Sequence, residues 1–149
     1  MTIETSFRAV FDTNVYVAWA LGKNPRSPIK ELFERLKHGE FVLLYSMAIR
    51  DEVIEKLFGK GLSGKRIAGF VEVMTGLGEE IVVEPEEVEP VILADPDDDV
   101  VLTCASKGKA THLVTYDSDF DVLGGVYQGI TILDGLHFLY VLRGDSEEL

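Results

Sequence analysis

Short apolar runs of strand length alternate along this chain with segments whose apolar residues recur every three or four positions, and that alternation restricts the possible folds more than any other feature. Phe7 to Phe11 is a strand-like run that stops at Asp12, where Thr13 or Asn14 can cap a helix carrying Val15, Val17, Trp19 and Leu21. Gly, Asn and two prolines interrupt at residues 22–28, and Ile29, Leu32, Phe33 and Leu36 then fall on one face of a second helix ending near Gly39. Phe41 to Tyr45 reads as the next strand, followed by Ser46 as the cap of a helix with Ile49, Val53, Ile54 and Leu57 inward. A further helix is expected through Ile67, Phe70, Val71, Met74 and Leu77, and a third strand at Ile81 to Val83. Asp95 and Pro96 have the composition of an N-cap and first helical position. His112 to Thr115 reads as a fourth strand, and Ile130 to Ile132 as a last one before an apolar helix from Leu136 to Leu142. Strands separated by helices imply parallel βαβ connections. The expected fold is a three-layer α/β/α sandwich around a central parallel sheet of about five strands, with its ligand crevice at the carboxyl ends of those strands. At 149 residues the chain suits a single domain spanning 1–149.

The formal charge of −12 argues at first against a nucleic-acid ligand. The charge is uneven, however: ten acids and no Lys or Arg lie between Glu79 and Asp99, which leaves the remainder at −2. Basic clusters at Lys23, Arg26 and Lys30, and at Lys56, Lys60, Lys65 and Arg66, read either as solvated helix faces or as guides for a polyanion. No run approaches the roughly 18 apolar residues that span a bilayer, and the opening MTIETSFR lacks the basic start and apolar core of a signal peptide, so a cytoplasmic location is expected. The lone Cys104, in an apolar helical pattern, reads as a core side chain.

Four acids stand where hydrophobic segments surface: Asp12, Glu52, Asp98 and Asp117. Each has an innocent reading. Asp98, like Asp95, Asp97 and Asp99, suits the first turn of a helix, Asp117 and Asp119 suit a loop, and Glu52 is one of several acids on its helix. Asp98 differs from its neighbours in sharing a helical face with Val101, Leu102 and Ala105, whereas Asp97 and Asp99 are expected to point elsewhere. Taken together, the four imply a carboxylate cluster at one sheet edge. Crowded like charges raise one another's pKa and call for a cation. Mg²⁺ or Mn²⁺ suits all-oxygen ligands, and such a site supports phosphodiester hydrolysis. Zinc does not fit, because His38, His112 and His137 are scattered and Cys104 has no partner thiol.

The series VFDTNV, S-x5-E, D-P-D-D-D-x-x-L-x-x-A and L-V-T-x-D-x-D-F resembles a PIN domain over about Phe7 to Gly135, in order and spacing, and is nearest to toxins related to VapC-type ribonucleases. The resemblance implies a PIN-like sandwich in which Asp12, Glu52, Asp98 and Asp117 hold one or two Mg²⁺ or Mn²⁺ ions for cleaving single-stranded RNA. It matches Asp119 to a fifth, variable acid, and Thr13, Asn14, Ser46 and Thr115 to supporting polar residues. In the roles it suggests, Asp12 and Asp98 hold the principal ion, Asp117 completes that site or holds a second ion with Asp119, and Glu52 handles the attacking water. A cognate antitoxin is the implied partner, and a homodimer is a further expectation, with Leu62, Ile67 and Phe70 as candidate interface residues.

Two other readings compete. Haloacid-dehalogenase-like phosphatases also carry an Asp after the first strand, but need a second Asp two residues on, where this chain has Asn14. A catalytically weak PIN-like module that binds RNA or protein is the other.

Overall fold

The computed structural model describes residues 7–22, 24, 26–92 and 95–144; Lys23 of the first basic cluster and most of the MTIETSFR opening lie outside them. Strands β1 (Arg8–Phe11), β2 (Val42–Tyr45), β3 (Gly78–Glu80), β4 (His112–Val114), β5 (Val126–Tyr127) and β6 (Ile130–Leu133) form one sheet in the order β3-β2-β1-β4-β6-β5. Every neighbouring pair is parallel except β5 with β6. Helices α1 (Thr13–Leu21), α2 (Pro28–Lys37), α3 (Met47–Gly59), α4 (Gly64–Leu77), α5 (Pro96–Lys107) and α6 (Gly135–Arg143) flank this sheet. The parallel part therefore has the five expected strands.

The chain leaves β1 toward β2 on one side, while β4 joins it on the other, so the strand order reverses between β1 and β4. In parallel sheets the crevice that receives ligands opens at such a switch point, beyond the carboxyl ends of the strands. Phe11 pairs with Val114 at those ends, so Asp12 and Thr115 leave the sheet side by side, and the Asp12 N–H donates to the Val114 carbonyl at 2.9 Å.

Beneath that edge lies a wall of aromatic rings. Phe11 meets Phe33 of α2 edge-on at 5.6 Å between centroids, and Phe138 of α6 at 6.3 Å, with Phe41 and Tyr16 closing the cluster. Burial of these large rings is the main stabilising contribution to this side of the sheet. Cys104 is buried, as its apolar pattern implied.

Several details differ from the sequence reading. The third strand is Gly78–Glu80 rather than Ile81 to Val83: α4 ends at Leu77 and passes directly into pairing with β2, where Tyr45 lies against Gly78 so closely that a Cβ there would collide with its ring. Asp12 itself, and not Thr13 or Asn14, caps α1. The edge strand β5 went unforeseen because it has two residues and joins β6 through Gln128-Gly129, both at positive φ, a turn usually marked by Asn-Gly. Asp99 points away from the Asp98 face as expected, but it is more than a first-turn acid: it is buried, and its Oδ1 accepts from the Val91 and Ile92 N–H groups at 3.0 and 2.6 Å, which pins the segment before α5. Of Leu62, Ile67 and Phe70, for which the sequence left an interface or a core role open, Ile67 is buried and the other two are half-buried against the core; Phe58 is the exposed ring beside them.

Candidate functional site

Asp12 is the hub of the strand edge. It follows β1 without a break, and its Oδ1 accepts from the Thr13 N–H at 2.8 Å while its Oδ2 accepts from the Thr115 hydroxyl at 2.8 Å. Thr115 in turn accepts from the Asp117 N–H at 3.0 Å, and Asp117 Oδ1 caps the following 3₁₀ turn through the Asp119 N–H at 2.9 Å. One threonine thus fixes both the carboxylate of β1 and the loop leaving β4.

Asp98 reaches the same place from the first turn of α5, which Asp95 caps through the Asp97 N–H at 2.9 Å. The α5 face that carries Val101, Leu102 and Ala105 into the core carries Asp98 inward with them, and Asp98 is only 4% exposed. Ligand oxygens of Asp12, Asp98 and Asp117 lie within 4.8 Å of one another, and a second group within the same limit comprises Asp95, Asp98 and Asp119. Asp98 is common to both. Its Oδ2 is buried with no hydrogen-bond partner among the described residues.

The charges behave as this crowding demands. Burial, then the charges of Asp12, Asp117, Asp95 and Asp119, push the Asp98 carboxyl up from 3.8 to about 7. Burial also raises Asp12, opposed by its hydrogen bonds to Thr115 and Thr13 and by the nearby charge of Lys56. The oxygen donors and the orphaned Asp98 Oδ2 fit a hard divalent cation, and soft ligands are missing from both groups.

Glu52 is not a member of either group. It is half-buried on α3, 3.3 Å from Lys56 Nζ, and lines a cleft with Asp51, Glu55, Asp97 and Val100 at the start of α5. Lys56 Nζ also donates to the exposed Asn14 at 3.2 Å. Ser46 is buried and caps α3 through the Ile49 N–H at 3.3 Å, so it sets the position of Glu52's helix from behind the cluster. Thr13 is buried, and its hydroxyl has no hydrogen-bond partner among the described residues. Two residues near the acids were read otherwise in the sequence: Asp95 as a cap alone, and Lys56 as part of a solvated or polyanion-guiding face. The four-residue step from Glu52 to Lys56 carried the second signal; nothing in the sequence distinguished Asp95 from an ordinary cap.

A doubly flanked, mostly parallel sheet with carboxylates gathered beyond its switch point defines the class of α/β proteins whose sites are built on strand ends. The chain belongs to the PIN domain family, whose model matches residues 8–119. No curated protein matches the sequence. Among solved structures, it resembles a chain in the crystal structure of VapBC2 from Rickettsia felis bound to a DNA fragment from their promoter, at 15% identity and a TM-score of 0.61, covering 85% of this chain and 97% of that one. At that identity the likeness concerns the fold.

Proposed function

We propose that the protein is a metal-dependent endoribonuclease that hydrolyses phosphodiester bonds of single-stranded RNA, as the toxin of a toxin–antitoxin pair. The observation that carries this reading is Asp98, which has a carboxylate oxygen within 4.8 Å of carboxylate oxygens from two other segments and whose buried Oδ2 has no hydrogen-bond partner among the described residues. Such an arrangement is unfavourable without a cation and is rarely retained as a structural feature alone. Membership of the PIN domain family supports the nuclease assignment, and the likeness in fold to a chain of the VapBC2 structure supports an antitoxin as partner. The proposed place of action is the cytoplasm; among the described residues no helix is long and apolar enough to cross a membrane.

In this reading Asp12, Asp98 and Asp117 hold Mg²⁺ or Mn²⁺, with Asp119 and Asp95 beside them. The ion, when bound, lowers the pKa of an attacking water and offsets the charge that builds on the phosphate. The chain's own contribution is orientation: Thr115 and the Thr13 N–H hold the Asp12 carboxylate, and α5 delivers Asp98 from the opposite side. Glu52 is assigned the proton of the attacking water, with Lys56 Nζ 3.3 Å from its carboxylate. A phosphatase of the haloacid-dehalogenase type would need an acid where Asn14 stands, and Asn14 is exposed and engaged by Lys56.

Cleavage of defined single-stranded RNAs, with and without Mg²⁺ or Mn²⁺, tests the proposal. Wild-type protein should cut only with metal, and Asp12→Asn should lose about 10²–10³-fold or more in rate, as when one electrostatic group is removed from a reacting centre. Metal-independent cutting, or full activity in the purified variant, overturns it.

A further inference from the structure

Resting on that reading, we propose that the open crevice between Tyr116 and Asp134 is a nucleobase subsite that stacks one base on Tyr116 and selects bases bearing an exocyclic amine. The crevice, about 320 Å³, begins at Thr115 and Asp117, so a base lodged in it would belong to a nucleotide next to the phosphate at the acids. Its volume lies at the lower end of the range for ligand pockets, in keeping with one planar group rather than a larger molecule.

The aromatic wall is fixed in place. Tyr116 is 48% exposed, yet its hydroxyl lies close against Gly135 in the first turn of α6. A Cβ at position 135 would collide with that hydroxyl, so glycine is what lets the tyrosine dock. Packed at its tip and open along its ring, Tyr116 is a preorganised platform. Stacking on such a ring tolerates any base and is typically worth about 1–3 kcal/mol by alanine substitution, or roughly six- to 150-fold in affinity.

Selectivity comes from the edges. Ile132, Leu133 and the buried Phe120 supply apolar surface, while the polar groups beyond Thr115 and Asp117 are Ser118, the Asp121 carboxylate and that of Asp134, whose Oδ1 already accepts from the His137 N–H and pairs with its ring. Among the described residues neither Lys nor Arg lines the crevice, and its carboxylates disfavour a phosphate there. Carboxylates accept hydrogen bonds. They match the amino groups of cytosine, adenine and guanine, whereas uracil presents a carbonyl oxygen at the corresponding edge of cytosine.

Nucleoside 5′-monophosphates contain no phosphodiester to cleave, so their binding can be read apart from catalysis. Titrated into ¹⁵N-labelled full-length protein with Mg²⁺, CMP, AMP and GMP should shift the amides of Tyr116, Ser118 and Asp121, with UMP binding about tenfold more weakly. Tyr116→Ala should weaken CMP by roughly tenfold or more, Tyr116→Phe should recover most of the loss, and Asp121→Asn should narrow the gap between CMP and UMP. Unmoved amides with all four nucleotides, equal binding of UMP and CMP, or an unchanged CMP affinity in a folded Tyr116→Ala protein overturns the subsite. RNA cleavage mapped in parallel separates the two readings. Binding at Tyr116 without cleavage overturns the nuclease and leaves the subsite, and cleavage with identical base preference in wild type and Tyr116→Ala overturns the subsite and leaves the nuclease.

Discussion

Phe11 and Asp12 are consecutive residues that belong to regions governed by opposite rules. Phe11 sits fully buried in the aromatic wall formed with Phe33, Phe41 and Phe138, where every neighbour gains from its presence. Asp12 begins the carboxylate edge, where Asp98 and Asp117 are each made less comfortable by the others. Charge on the core side is treated differently too: Glu31 of α2 pairs with Arg35 at 2.9 Å and with Arg143 of α6 at 2.5 Å. The difference teaches where this fold stores its stability and where it gives some up for a site: packed rings stabilise it, and an unneutralised carboxylate cluster at the strand ends works against it.

The largest effect should come from emptying the wall. Phe11→Ala should cost about 3–5 kcal/mol, because the rings around it come from α1, α2, α6 and the turn before β2 and cannot all collapse into the void. Urea unfolding measures this, and a loss under about 1 kcal/mol would show that the wall is not what holds the sheet.

The carboxylate edge should respond in the opposite direction. With the folded-state Asp98 carboxyl near 7 and the unfolded value near 3.8, the folded protein holds an extra proton between those limits. Metal-free protein should therefore be most stable at the low-pH end of this window and lose up to about 4 kcal/mol as pH rises from about 4 to 7, with little further change above 7. Asp98→Asn should flatten that slope, and Mg²⁺ at about 100 times its dissociation constant should restore about 2.7 kcal/mol to wild type alone. Thermal melts across pH 4–8, with EDTA or Mg²⁺, measure both. A slope that survives in Asp98→Asn would assign the effect to another group.

The smallest effect belongs to the paired charge. Salt bridges to Arg143 and Arg35 hold the Glu31 carboxyl down at about 2, so its contribution is complete above the ordinary glutamate range and vanishes only as pH falls through about 2. Because Glu31 is substantially exposed, Glu31→Gln should cost no more than about 1 kcal/mol at neutral pH, and less in high salt. A larger, salt-insensitive loss would mean that the α2–α6 contact depends on this carboxylate rather than on Phe33 and Phe138.

Legibility in the sequence followed the range of the interaction. Strands β1, β2, β4 and β6 and all six helices announced themselves through periodicity and caps, with Ser46 and Asp95 capping as their residue types suggested. The two strands not read correctly, β3 and β5, are the edges of the sheet, each paired on one side alone, and their existence depends on a neighbouring strand more than on their own residues. Within DPDDD the helical step to Ala105 separated Asp98 from Asp97. It could not show that Asp99 turns back to hold Val91 and Ile92, since that bond closes a loop whose path no periodicity encodes.

The order of strand and helix, the identity of the acids and the family pattern they form were determined by the sequence alone, because periodicity and residue type are local properties. Which acids meet was decided by tertiary structure. Only the pairing of β1 with β4 and the placement of α5 bring Asp12, Asp98 and Asp117 within 4.8 Å, add Asp95 through the turn that it caps, and leave Glu52 one cleft away beside Lys56. Asp12 and Asp98, far apart along the chain, raise one another's cost of ionisation only once the sheet has closed between them.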